Sequence, residues 1–340
     1  DASDAAYEAV FEKFPKPKGL DVLLDEWALL NYEAKRYDRA DELFQRLIKE
    51  APNSDRAYAA RLNLAESDLI AGRTQQAQKS FEELVASSRS TSATKERSLL
   101  HLVGIQVDKA DWKQVAALCE QVQQQFPKSD RTADAQFHLG EAKFHLNDFP
   151  ASLKSLTGLR KQSTAAAIRK AEWFPQLWVI LAEISIRQKK YTEVSAVVSE
   201  YRTLDPKSPH LYKLDEILGR SYKNQTKWKE AQAAYRRVTE SPSGRRTLTA
   251  AKAQLYLAET YLEQKNYKTA RGEYLKVYYL YKHPEFQAPA LYQAALIEQS
   301  LKNWKDAINA YEDLIKDFPT SKYAKMAKTR LAAAKKQAGT

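Results

Sequence analysis

Apolar and small side chains recur along the chain with the spacing of α-helices, and residues 288–321 show the pattern most fully. In that segment Trp304 follows nine residues after Ala295, which lies on an apolar helix face. Ala307 and Tyr311 come three and seven residues after Trp304, so they share one face of a second helix. The segment therefore predicts two amphipathic helices joined by a short turn.

The boundaries of these two helices follow from the residues between and after them. The polar pair Lys302 and Asn303 interrupts the apolar pattern. Pro319 closes the segment, because the residue before a proline avoids the helical backbone conformation. We expect a first helix over about 290–301 and a second over about 305–316.

Four positions of this segment recur eight times along the chain, at steps of 37 to 42 residues. The aromatic column holds an aromatic residue in seven repeats and a threonine in one: Tyr37, Thr74, Trp112, Phe149, Tyr191, Trp228, Tyr267 and Trp304. Three residues later the second-helix column is small or short: Ala40, Ala77, Val115, Ser152, Val194, Ala231, Ala270 and Ala307. Seven residues after the aromatic, the filling column is larger: Phe44, Phe81, Cys119, Leu156, Val198, Tyr235, Tyr274 and Tyr311. Nine residues before the aromatic lies the first-helix column: Ala28, Ala65, Val103, Gly140, Ala182, Gly219, Ala258 and Ala295.

The four columns have a common physical explanation. Two helices of one repeat can approach closely only where a glycine or alanine removes bulk, and an aromatic two turns away then fills the space beside it. Self-similarity at a period near 40 residues predicts stacked helical repeats rather than one closed core.

These columns resemble those of the tetratricopeptide repeat family. The small first-helix position of that family matches Gly140 and Gly219. Its second-helix alanine matches Ala40, Ala77, Ala231, Ala270 and Ala307. Its closing proline matches Pro52, Pro127, Pro206 and Pro319. The resemblance implies an all-α, right-handed superhelical solenoid of about eight helix pairs. The closures at residues 126–129 and 318–321 are also similar to repeats of bacterial cell-envelope proteins.

We expect a single solenoid over residues 1–340, with eight repeats in residues 20–321. Residues 7–15 align with residues 311–319, so the chain opens on a second helix without its first. Residues 1–19 are therefore expected to be an N-terminal cap helix or a partial repeat of a longer array. Residues 322–340, rich in alanine and lysine, are expected to form a C-terminal cap helix with a charged outer face.

One step between repeats is longer than the others. Phe149 and Tyr191 are 42 residues apart, and the extra residues fall in the stretch from Arg160 to Glu172. This insertion is expected to lengthen the second helix or the loop after it. It could mark a bend or a contact site, or represent ordinary growth of a tolerated loop.

Composition agrees with a helix-rich chain: 44% of its residues are hydrophobic, 29% are charged and only 9 are glycines. No stretch of about 18 apolar residues that could span a bilayer is present. The single cysteine, Cys119, excludes an internal disulfide and stands in the filling column, so we expect a small buried hydrophobic residue rather than a reactive thiol.

The net charge of +11 is unevenly distributed. Residues 1–170 hold 25 basic and 25 acidic side chains, whereas residues 171–340 hold 29 and 18. A basic half attracts acidic proteins, anionic lipid headgroups or nucleic acid without selecting among them. Binding of nucleic acid or an anionic surface by this half is therefore our alternative function.

No nucleophile motif, phosphate-binding glycine loop or cysteine-based metal cluster is present, so we do not expect an enzyme. His138, Glu141 and His145 share one helix face, and His101 occupies the position of His138 one repeat earlier. Three imidazoles and a carboxylate could bind zinc or titrate near pH 6.5. The spacing matches no strong metal motif, so we expect a patch for a protein partner and no metal or cofactor.

The repeat register also predicts which first-helix side chains face a concave groove, the surface with which such repeats commonly bind a peptide. The predicted partner-binding residues are His101, Asp108, His138, Glu141, His145, Glu183, Arg187, Arg220, Lys223, Tyr256, Glu259 and Gln293. Glu66, Glu141, Glu183 and Glu259 form an acidic column there, which could meet a basic partner or pair with arginines and lysines of neighbouring helices. Chaperone adaptors of this family clamp a carboxylate with lysine and asparagine; Glu66 and Glu141 at the corresponding asparagine positions argue against such a clamp.

Together these observations predict a non-enzymatic scaffold that binds partner proteins or peptides in its concave groove. We expect it in a bacterial cell-envelope complex, in the periplasm or cell envelope, with the cytoplasm as the alternative location. No small-molecule substrate and no transmembrane segment in this chain are expected.

Overall fold

The computed structural model describes residues 2–339, with side chains from residue 4 onward, and all of its regular elements in that range are helices. The helices form two compact units, one ending at Ile168 and the other beginning at Arg169. The first unit contains α1 (Ala2–Lys13), α2 (Leu20–Glu33), α3 (Tyr37–Glu50), α4 (Asp55–Ile70), α5 (Thr74–Ala86), α6 (Ser92–Asp108), α7 (Trp112–Gln125), α8 (Thr132–His145) and α9 (Phe149–Lys161). The short α10 (Ala166–Lys170) contains the division between the units.

The second unit continues the same alternation of first and second helices. It contains α11 (Phe174–Arg187), α12 (Tyr191–Leu204), α13 (Leu211–Asn224), α14 (Trp228–Glu240), α15 (Leu248–Glu263), α16 (Tyr267–Leu280), α17 (Pro284–Ser300), α18 (Trp304–Asp317) and α19 (Lys322–Ala338). None of the helices in residues 2–339 combines the length and the apolar character that a bilayer crossing requires.

The eight predicted helix pairs are confirmed, from α2 and α3 through α17 and α18, with α1 before them and α19 after them. The first helix of the last pair begins at Pro284, earlier than predicted, because prolines are tolerated in the first turn of a helix. In each of the eight pairs, the residue of the aromatic column is the first residue of the second helix, from Tyr37 to Trp304. One continuous array over residues 1–340 stays a prediction.

Of the two alternatives for the insertion, the structure shows a lengthened connection after α9 and not a longer α9. The chain leaves α9 at Lys161 and makes the five-residue helix α10 before α11 begins at Phe174. Ile168 of α10 is buried, and Arg169 donates a hydrogen bond of 2.8 Å to the carbonyl oxygen of Leu204. The inserted residues are therefore held by packing and by a hydrogen bond.

The first-helix, second-helix and filling columns are all buried, as expected for positions at the contact within each pair. A β-carbon placed on Gly140 would lie 2.4 Å from Leu156 Cδ2, far inside van der Waals contact. Gly219 stands in the same relation to the ring of Tyr235, also at 2.4 Å. The side chains that fill the space beside these two glycines, Leu156 and Tyr235, thus both belong to the filling column. The aromatic column is only partly buried, and Tyr37 keeps 48% of its surface exposed.

A serine strengthens the contact at Gly140. Ser152 Oγ donates a hydrogen bond of 2.7 Å to the carbonyl oxygen of Gly140, and the serine is fully buried. Cys119 occupies the filling column of the preceding repeat, and burial raises the pKa of its thiol to about 12. The prediction of a buried, unreactive cysteine is confirmed as far as burial is concerned.

Each of the eight pairs turns through one residue in the left-handed backbone region, two residues before the aromatic column. These residues are Lys35, Gly72, Ala110, Asn147, Lys189, Thr226, Lys265 and Lys302. At Ala110, where φ is 54°, the amide of Ala110 donates to the carbonyl of Val107 at 2.9 Å and that of Asp111 donates to Gln106 at 3.0 Å. This hydrogen-bond pattern is that of a Schellman motif, in which glycine is the usual left-handed residue.

We expect Gly140→Leu to destabilise the protein, because the new side chain would occupy the position of Leu156. Overpacking of this kind lowers the free energy of unfolding by roughly 1–3 kcal/mol or more. The matched control is Gly104→Leu, since a β-carbon on Gly104 of α6 meets no atom within 4 Å. Thermal unfolding followed by circular dichroism compares the two, and equal melting temperatures would contradict the assigned contact.

We expect Ala110→Gly to stabilise the protein, although glycine usually weakens helical proteins. An L-residue in the left-handed region costs about 1–2 kcal/mol, which outweighs the roughly 0.5–1 kcal/mol of extra chain entropy that glycine loses on folding. The control is Ala117→Gly on the exposed side of α7, which should be destabilising by about 1 kcal/mol. A lower melting temperature for both variants would show that the turn is not strained.

Candidate functional site

Several first helices of successive repeats contact one another within their unit. In the first unit α2 contacts α4 and α4 contacts α6; in the second α11 contacts α13, α13 contacts α15 and α15 contacts α17. We call the surface formed by the first helices of a unit the first-helix face of that unit. All twelve predicted partner-binding residues lie on first helices, from His101 of α6 to Gln293 of α17.

The predicted residues differ in how much surface they keep. Asp108, His145 and Arg187 are exposed, and Glu141 is buried. The remaining residues are half-buried: His101, His138, Glu183, Arg220, Lys223, Tyr256, Glu259 and Gln293. Most of these side chains thus combine an exposed part with a part that packs inside the repeat stack.

The acidic column pairs with side chains of the protein itself, one of the two alternatives that the sequence left open. In the first unit Glu66 of α4 binds Arg97 and His101 of α6, each at 2.7 Å. In the second unit Glu183 of α11 pairs with Arg220 of α13. These pairs connect the first helices of neighbouring repeats.

The other two glutamates of the column are also paired. Glu259 of α15 forms an ion pair with Lys223 of α13. Glu141 lies 3.2 Å from His138 Nδ1, one helical turn earlier on α8. The column therefore serves the fold, and its carboxylates are already engaged before any partner arrives.

The pKa of Glu66 shows the net effect of these contacts. Burial raises the pKa of this carboxyl, but the hydrogen bond from His101 and the positive charge of Arg97 lower it more, so it falls below the ordinary value of 4.5. The carboxylate form is consequently favoured in the folded protein.

The histidines of the predicted patch have separate partners. The His101 ring stacks on Phe81 with the ring centroids 4.8 Å apart. The His145 ring stacks on Trp112 at 3.9 Å. Within residues 2–339 no group of three or more histidine, cysteine, aspartate or glutamate side chains is arranged to hold a metal ion.

The second unit has an open cleft of about 290 Å³ on its first-helix face. Its walls come from α11, α13 and α15, and its lining residues are Ile186, Arg187, Arg220, Lys223, Asn224 and Tyr256. Three of the six are cations and none is acidic. We call this feature the cationic cleft; four of its residues are among the predicted partner-binding set.

Ion pairs hold Arg220 and Lys223 at the cleft. Arg220 Nε lies 2.9 Å from Glu216, the buried carboxylate one turn earlier on α13, and Lys252 of α15 approaches the same carboxylate at 3.0 Å. Burial lowers the pKa of Arg220, but the negative charges of Glu216 and Glu183 raise it by more, so the pKa lies above its ordinary value and the guanidinium stays charged. The ammonium groups of Lys223 and Lys252 lie 4.8 and 5.6 Å from the centre of the Tyr256 ring.

Sequence reasoning missed several members of this arrangement. Glu216 and Lys252 support the cleft, and Ile186 and Asn224 line it. The signal for Glu216 was its position four residues before Arg220, the spacing of a helical ion pair. Lys252 could not be found in this way, because its partner lies on another helix.

Helix pairs with these buried columns define an all-helical repeat protein. Profiles of the tetratricopeptide repeat family match residues 24–54 and 289–321, and a further profile of that family matches residues 218–285. In these segments the chain is similar to the tetratricopeptide repeat family, whose members generally mediate protein–protein interactions.

Solved structures of similar fold extend over most of the chain. The apo form of RapI superposes with a TM-score of 0.59 over 94% of this chain and 98% of RapI, at 12% identity. A tetratricopeptide repeat protein from Parabacteroides merdae ATCC 43184 superposes with a TM-score of 0.52 over 81% of this chain and 98% of its own, at 14% identity. At these identities the likeness shows the fold alone. No curated protein sequence matches the chain significantly.

We expect Glu66→Gln to reduce the free energy of unfolding at neutral pH, because it removes the ion pair with Arg97. The loss is on the order of 1 kcal/mol, since the exposed part of Arg97 is screened by solvent. The lowered pKa of Glu66 sets the pH dependence of this loss. The full difference in the free energy of unfolding between the variant and the parent is present above pH 4.5. It disappears as the pH falls through the folded-state pKa of Glu66, since the carboxyl group of the parent is then protonated in both the folded and the unfolded protein.

Urea unfolding at several values between pH 3 and 7 measures this effect. The control is Glu12→Gln, which removes an exposed carboxylate from α1. A difference between the Glu66→Gln variant and the parent that stays constant down to pH 3 would contradict the assigned ion pairs.

Proposed function

We propose that this protein is a non-enzymatic scaffold that binds segments of partner proteins along its first-helix face. The observation that carries the proposal is the cationic cleft, an open recess on that face with charged and aromatic walls. Such a recess between repeats can receive a side chain of an extended or helical peptide. The twelve residues predicted from the register are the proposed contacts.

We place this scaffold in a bacterial cell-envelope complex. The support is the similarity of the closing segments at residues 126–129 and 318–321 to repeats of cell-envelope proteins. No cofactor, metal or small-molecule substrate enters the proposal. The partner is a protein, because the face combines hydrogen-bonding, aromatic and paired charged groups rather than an unbroken cationic surface.

A display library of random 12-residue peptides tests the proposed function. We expect selected peptides to bind the full chain and to lose at least tenfold in affinity when Tyr256 and Gln293 are both changed to alanine. Fluorescence anisotropy with labelled selected peptides measures this loss. The control variant changes Tyr267 and Tyr279 to alanine, because these tyrosines lie on the second helix α16 and are exposed.

Two results would contradict the proposal. One is the absence of any selected peptide whose binding depends on Tyr256 and Gln293. The other is tight binding of a 20-nucleotide thymidine oligomer that falls steeply between 50 and 200 mM salt, as expected of a phosphate-binding protein.

A further inference from the structure

We propose that the cationic cleft of the second unit is a subsite for a single carboxylate, the side chain of a glutamate or aspartate in the partner segment. This inference rests on the proposed function, because it names the chemistry that the first-helix face recognises at one position. The proposal goes beyond the general capacity of the face to bind peptides. It predicts which residue type the partner must place there.

The first argument is the composition of the lining. Arg187 of α11 and Arg220 and Lys223 of α13 present cationic groups to one recess, and Asn224 adds an amide donor. The neighbouring glutamates pair with Arg220 and Lys223 but are not among the lining residues. A ligand in the recess therefore meets hydrogen-bond donors of positive charge.

The second argument is that the donors are held in place before a ligand binds. Arg220 contacts Glu183 on one neighbouring helix and Glu216 on its own, and only 21% of its side chain is exposed. Lys223 is paired with Glu259 of α15. Side chains fixed in this way lose little further freedom on binding, so more of the interaction energy appears as affinity.

The third argument favours a single carboxylate over a chain of phosphates. Glu183 and Glu259 keep 22% and 33% of their side chains exposed on the same face. A polyanion that extended beyond the recess would meet these negative charges, whereas one acidic side chain would not. The Tyr256 ring and Ile186 offer apolar surface to the methylene groups that precede the carboxylate of a glutamate.

The test uses two fluorescein-labelled, C-terminally amidated peptides with the full chain, hexaglutamine and the same peptide with one central glutamate, measured by anisotropy at 150 mM salt. We expect the single-glutamate peptide to bind and hexaglutamine not to bind. The double variant Arg187→Gln and Lys223→Gln should weaken binding of the single-glutamate peptide at least tenfold. The control variant Lys268→Gln and Lys305→Gln makes the same change of charge at exposed positions of the second unit and should change affinity less than twofold.

Three outcomes would overturn the subsite. The parent could fail to bind the single-glutamate peptide, the two double variants could weaken binding equally, or a 12-nucleotide thymidine oligomer could bind more tightly than the single-glutamate peptide through Arg187 and Lys223. Melting temperatures of both variants establish that each is folded. If library-selected peptides still depend on Tyr256 while the single-glutamate peptide does not bind, the carboxylate subsite is wrong and the scaffold function stands. If neither binds through this face, both are wrong.

Discussion

The close approach of two helices at one small residue is the constraint on which the rest of the structure depends. At Gly140 the partner helix comes so near that Leu156 lies where a β-carbon would be, and Ser152 can reach the backbone carbonyl. Because each repeat contacts only its neighbours, this contact has to be made again in every pair. That requirement explains why the first-helix column is confined to glycine, alanine and valine, whereas the exposed helix surfaces vary freely.

A second constraint acts between repeats, where first helices meet over partly polar surfaces. Ion pairs such as Glu66 with Arg97 and Glu183 with Arg220 cross these contacts. A half-buried carboxylate without a partner would be unfavourable, so each acidic side chain of the column requires a basic partner, on its own helix or on a neighbouring first helix. The same pairs leave no carboxylate among the residues that line the cationic cleft of the second unit, so its charged lining residues are all basic.

The periodic columns made the fold predictable, because each helix pair buries small and apolar residues at the same positions and this pattern recurs in every repeat. The helix pairs and the buried Cys119 could therefore be read from spacing alone. The left-handed turn residues were missed since seven of the eight are not glycine, and Lys35 or Lys189 give no sequence signal of such a backbone. The short helix α10 was also missed for want of a sequence signal. A single insertion has no second copy against which its pattern can be compared.

The candidate site was only partly predictable, because the register identifies a face but not which side chains converge on it. Arg187 and Lys223 were placed on that face by spacing, yet their common recess depends on how α11, α13 and α15 pack. The supporting Glu216 also has a role that spacing hides. Its carboxylate contacts both Arg220 and Lys252, so one buried group positions cations on two helices. The charge pairing that holds successive repeats together thus also positions the cations of the cleft.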